Sequence, residues 1–124
     1  MKPLLFISAF LFISIILSDC NHKDSSCAAC GVDNPTTNLS WLKAVIDYSA
    51  GSDNQSLAQI DLYEYNDKQL ILLSWDLNGA NDLPTGSVYN CAGDLLYTCG
   101  GNQPLDSCSI ILSHSKFIGN IWEK

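Results

Sequence analysis

The sequence predicts an α+β domain, one main helix packed on a mostly antiparallel sheet of four to five short strands and supported by disulfides. Three observations lead there. Apolar residues recur at helical spacing over 39–50. Two strand-like runs, 58–65 and 68–76, are joined by Asn66-Asp67. Six cysteines stand in a chain of 124 residues.

The helix comes first in the domain. Pro35 biases Asn34 away from helical backbone and predicts an extended approach. Asn38 can cap the helix, with Thr37 as the neighbouring alternative. Leu42, Val45, Ile46 and Ser49 fall at i, i+3, i+4 and i+7, and Trp41 with Tyr48 widens the apolar stripe. Lys43 and Asp47 point away from it. Gly51 suits the position just past the helix end. Trp41, in the first turn of such a face, reads as a core residue rather than a binding one.

The strands follow. In 58–65, Ile60 and Leu62 lie on one side and Asp61, Tyr63 and Tyr65 on the other. Residues 68–76 form a second strand rich in Leu and Ile. A two-residue Asn66-Asp67 turn sets Tyr65 opposite Lys68, Tyr63 opposite Leu70, Leu62 opposite Ile71 and Ile60 opposite Leu73. One face then carries Ile60, Leu62, Ile71, Leu73 and Trp75, and is assigned to the helix. The other carries Tyr63, Tyr65, Leu70 and Leu72. That second face is either covered by the C-terminal segment (Phe117, Ile118, Ile121) or is an exposed aromatic interaction surface. Residues 87–91 and 95–99 read as a hairpin around Ala92-Gly93-Asp94. Asp106 can cap a short helix through Leu112, and 117–122 makes a last strand.

Composition narrows the function classes. The charged fraction is low, the formal net charge is −7, and the chain has no arginine. An acidic chain of this kind disfavours nucleic acid as a partner. Metal and catalytic patterns are absent from the sequence. Asp76, Asn78, Asn81 and Asp82 have oxygen ligands, but their spacing does not match a calcium loop. Ser113 and His114 lack the partner spacing of a triad. Strand alternation puts Asp61 and Glu64 on opposite faces, which removes them as an acid/base pair. No cofactor is expected, and the chain is not expected to be an enzyme.

The first residues read as a leader. Met1-Lys2 is followed by an almost wholly apolar run to Leu17, of signal-peptide length. It ends Leu17-Ser18-Asp19-Cys20, which resembles a bacterial lipobox, with Asp19 where a small residue is usual. The resemblance implies lipid on Cys20. Several acyl chains hold a protein firmly on a bilayer where one does not. Residues 1–19 are therefore expected to be a lipoprotein-type signal peptide, 20–29 a lipidated cysteine and flexible tether, and 30–124 a single domain.

Cysteine arithmetic adds the compartment. So many cysteines in a short chain suggest an oxidising location. With Cys20 lipidated, five remain. Cys91 and Cys99 share a hairpin but do not face one another. Cys99 and Cys108 flank a short loop that can close, and Cys30 with Cys91 would pin the lead-in to the sheet. Cys27 is then left over. A redox role for Cys27-x-x-Cys30 lacks the strand-before, helix-after setting of thioredoxin-like sites.

One longer resemblance spans the domain in short islands. Residues 31–43, Gly-Val-Asp-Asn-Pro-Thr-Thr-Asn-Leu-Ser-Trp-Leu-Lys, are similar to the opening of a family of small Bacteroidetes-type lipoproteins of unassigned function. Cys30 matches the family's preceding cysteine, Asn34-Pro35 its Asn-Pro, and Trp41-Leu42-Lys43 its Trp-Leu-Lys, with Ser40 where proline is usual. Residues 89–96, Tyr-Asn-Cys-Ala-Gly-Asp-Leu-Leu, resemble its cysteine-containing hairpin, and Ile121-Trp122 its closing pair. The family implies no activity. The expected function is a membrane-anchored, non-catalytic binding or structural module of the bacterial envelope, at the outer membrane or cell surface, with an envelope protein as possible partner. The alternative is a secreted or surface inhibitor of a protease or lysozyme, using the loop 76–86 or 100–104 as a wedge.

Overall fold

The Asn66-Asp67 turn sets the register of the sheet. In the computed structural model, which describes residues 28–77, 85–100 and 107–124, both turn residues have positive φ, 49° and 59°. That is the backbone a two-residue hairpin loop needs to match the twist of its strands. It joins β1 (Gln55–Tyr65) to β2 (Lys68–Leu77). Tyr65 faces Lys68, Tyr63 faces Leu70, Leu62 faces Ile71 and Ile60 faces Leu73, as the turn predicts.

β1 starts earlier than its alternation indicates. Leu57 pairs with Trp75 and Gln59 with Ser74, so Ala58 is an extra, bulged residue. The bulge returns Leu57 to the same core as Ile60. Strict alternation would put residues three apart on opposite faces, which is why the sequence hides the first turn of the strand.

β3 (Thr85–Tyr89), β4 (Leu95–Cys99) and β5 (Lys116–Glu123) complete a five-stranded antiparallel sheet of order β4-β3-β2-β1-β5. Among the described residues three short helices accompany it: α1 (Pro35–Asn38), α2 (Ser40–Ala50) and α3 (Ser107–Ser113). The molecule is therefore mostly sheet, with its helical residues divided among short pieces.

α2 covers one face. Leu42 is fully buried with Leu57, Ile60, Leu62, Ile71 and Leu73, and Trp41, Val45, Ile46, Trp75, Ile118 and Trp122 pack around them. Each buried aliphatic side chain contributes about 1.5–3 kcal/mol, which makes this layer the main source of stability.

The lead-in differs from expectation in three ways. Asn34 is left-handed (φ 49°), and Pro35 opens the one-turn helix α1 instead of closing an extended segment. Proline suits that place because its missing N–H has no helical partner to lose. Asn38 does not cap: its Nδ2 donates to the Asp33 carbonyl, and Leu39 precedes α2 with no side-chain cap. Finally, Gly51 has φ −97°, so α2 ends without the left-handed residue that glycine usually supplies. Tyr48 is 75% exposed and does not belong to the stripe.

The second face is covered by α3; the C-terminal segment does not fold over it, and Phe117 meets Tyr63 from the neighbouring strand. Cys108, Ile111 and Leu112 pack with Leu70 and Val88. β4 and β5 lie at opposite edges, so the chain between them must cross a face, and α3 lies in that crossing. The terminal residues instead pair with β1, and Ile118 and Ile121 join the first core.

Among the described residues, two cystines tie these layers together. Cys30–Cys91 joins the lead-in to the β3–β4 turn, with Cα atoms 5.3 Å apart, and Cys99–Cys108 joins the end of β4 to α3, with Cα atoms 5.1 Å apart. They are the two pairs that the sequence offered as candidates.

Candidate functional site

The corner around the Cys30–Cys91 cystine is held by a bridge and several hydrogen bonds. The turn between β3 and β4 is organised by Asn90, whose Oδ1 accepts from the Ala92 and Asp94 amides at 3.0 and 2.9 Å and whose Nδ2 donates to Asp94 Oδ2 at 3.0 Å. Asparagine does this readily because its short side chain mimics a turn of backbone. Gly93 follows with φ +89°. Trp41 lies against it: Nε1 donates to the Cys91 carbonyl at 3.1 Å, and the ring stands 5.4 Å from that of Tyr89. Cys30 N donates to Gln69 Oε1, which ties the lead-in to β2. Trp41 is thus the packing residue that the helical spacing indicated. Beside the corner lies an open cleft of about 360 Å3 lined by Lys68, Gln69, Asn90, Cys91 and Ala92. Among the described residues its lining brings one ammonium and two amides together, with no carboxylate, imidazole or free thiol.

A buried carboxylate was not visible in the sequence. Asp61 is only 5% exposed. Gln59 Nε2 donates to its Oδ2 at 2.7 Å and Asn120 Nδ2 to its Oδ1 at 3.0 Å. Two amide donors meet the requirement that a buried charge be hydrogen-bonded, and the Asn120 contact stitches β5 to β1. The hint was the place of Asp61 between the core residues Ile60 and Leu62. Its charge also acts on Tyr63, whose hydroxyl pKa is raised chiefly by burial and then by the Asp61 carboxylate.

The Tyr63, Tyr65, Leu70 and Leu72 surface is placed against α3. Leu70 is buried and 5% exposed, while Tyr63, Tyr65 and Leu72 are half-buried beside Cys108, Ile111 and Leu112. Tyr63 also meets Phe117 edge-to-face at 5.4 Å between centroids. The covering of this face gives an expected result. Tyr63→Ser should lower stability by about 2 kcal/mol or more, measured by urea unfolding, whereas a parent-like melting curve would move these residues back to an interaction role.

The other candidates are scattered. His114 is exposed, with Nδ1 at 2.8 Å from the Ile110 carbonyl and 3.2 Å from Ser113 Oγ, and no carboxylate completes a triad among its described contacts. Among the described residues no three His, Cys, Asp or Glu side chains stand close enough to hold a metal ion. No described helix is long and apolar enough to cross a membrane. Cys20, Cys27, the leader, the tether up to Cys27, Asn78, Asn81, Asp82 and most of both proposed wedge loops lie outside the described residues.

Exposed large apolar side chains lie on the helices (Tyr48 on α2, Ile110 on α3) and on the two edge strands. Leu95 and Leu96 on β4 are 55% and 41% exposed, and Phe117 on β5 is exposed as well. Comparison with protein-family models, curated proteins and solved structures finds no match to this chain.

Proposed function

We propose that the chain is a lipid-anchored, non-catalytic binding module of the bacterial envelope, attached through Cys20 and presenting a cystine-braced sheet domain to a protein partner. The observation that carries this reading is the pair of cystines taken with the leader. Each cystine joins a segment outside the sheet to the β3–β4 hairpin, and such bridges persist in oxidising compartments. The apolar leader ending at Cys20 supplies the route there and the point of attachment.

The chemistry of the domain suits binding better than catalysis. The deeply buried Asp61 carboxylate has both oxygens taken by amides. Among the described residues the cleft is lined by no titrating pair. The resemblance to small Bacteroidetes-type lipoproteins agrees with an anchor at the outer membrane or cell surface. The acidic composition argues against nucleic acid as partner, and no cofactor is needed.

Fractionation of cells tests this. The parent chain should sediment with membranes, and Cys20→Ser should release it to the soluble fraction or leave it misprocessed. Identical fractionation of the two would remove the anchor from the account.

A further inference from the structure

The two edges of the sheet are not alike. β5 begins at Lys116, carries Glu123 and is followed by Lys124; two bulges interrupt its pairing with β1. Charges at a strand edge discourage pairing with other chains. β4, Leu95-Leu96-Tyr97-Thr98-Cys99, contains no charged residue and no proline. Leu95, Leu96 and Thr98 are exposed. One bulge lies near its start, at Leu96, and Tyr97 to Cys99 pair with β3 in unbroken register. The carboxylate that precedes the strand, Asp94, accepts from Asn90. Cys99–Cys108 fixes the far end of the strand to α3, so the strand is ordered before any partner arrives and little is lost on binding.

We propose that β4 pairs antiparallel with β4 of a second copy of this chain, joining two sheets edge to edge about a two-fold axis. This rests on the reading of the chain as a binding module, and not on the anchor. A strand edge offers main-chain hydrogen bonds to any extended chain, and matching side chains decide the partner. The register that pairs all five residues puts the axis at Tyr97. Leu96 then faces Thr98 of the other copy and Leu95 faces Cys99, so no charge is set against the exposed leucines and no like charges oppose. That match matters in a chain of net charge −7, because an approach by this edge meets no carboxylate within the strand. The contact is self-complementary and closes on itself. It uses up the uncharged edge and leaves the charged one, which gives a dimer and not a fibre.

The full-length chain in detergent, with both cystines intact, is examined by sedimentation over a range of concentrations. A concentration-dependent dimer is expected. Leu96→Lys and Thr98→Glu should each weaken it about tenfold, with the melting temperature at dilutions where the parent is monomeric held at the parent value because both side chains are exposed. The double variant sets Lys opposite Glu twice and should restore the dimer. A parent chain that stays monomeric overturns the proposal, as does a dimer indifferent to both single changes. A double variant no better than the singles overturns the register. Loss of the dimer with membrane fractionation intact rejects this pairing alone, whereas a dimer that persists when Cys20→Ser changes nothing rejects the anchor alone.

Discussion

Replacing both Cys30 and Cys91 by serine is expected to lower the unfolding free energy by about 4 kcal/mol, because the cross-link closes a long loop and removes much of the unfolded chain's freedom. The two cysteines are 61 positions apart, against 9 for Cys99 and Cys108, whose removal should cost about 2.5 kcal/mol by the same argument. Domains of this size have about 5–15 kcal/mol in all. The first loss is therefore a large fraction of the total, and the double variant should unfold well below the parent in urea. Local structure adds to the effect. The lead-in is held to the sheet by this cystine, by the Cys30 amide on Gln69 and by Trp41 on Cys91. A loss no greater than that of the Cys99–Cys108 pair would contradict the loop argument.

The second large effect is expected at Gly93. A Cβ there would stand 2.7 Å from Trp41 Cγ and 2.9 Å from Cδ2, and the backbone is left-handed at φ +89°. The ring cannot easily withdraw, since its Nε1 is bonded to the Cys91 carbonyl and its face meets Tyr89. Left-handed strain and overpacking together should cost about 2–4 kcal/mol in Gly93→Ala. Combining it with Trp41→Phe tests the cause. Residues in contact are not additive, so the double variant should lose less than the sum of the singles. A Gly93→Ala protein that melts like the parent would show that the turn relaxes freely.

The parts of the fold that were legible in the sequence were those fixed by local chemistry. Asn66-Asp67 and the flanking alternation set the β1–β2 register because side-chain period and turn length leave one solution. The helical stripe of Leu42, Val45 and Ile46 was legible for the same reason, and the cystines followed from which cysteines could approach. What the sequence did not reveal depends on distant partners. The Ala58 bulge is invisible to a period-two reading. Tyr48 matched the stripe by spacing, yet the short α2 leaves it outside the contact. The last strand, 117–122, was legible, but its place beside β1 was not, since that pairing depends on the crossing made by α3. Asp61 looked like the polar side of a strand, and became buried only when Asn120 and Gln59 closed over it. The bare edge of β4 belongs to the same class: Leu95 and Leu96 read as ordinary strand residues until the strand order places them outermost.

The central claim, a lipid-anchored module, is tested most directly by metabolic labelling with an alkyne fatty acid in a bacterial host. The label should appear on the parent chain, on a peptide beginning at Cys20, and be absent from Cys20→Ser. A parent chain that matures with Cys20 unlabelled, or that keeps the leader uncleaved, would contradict the account.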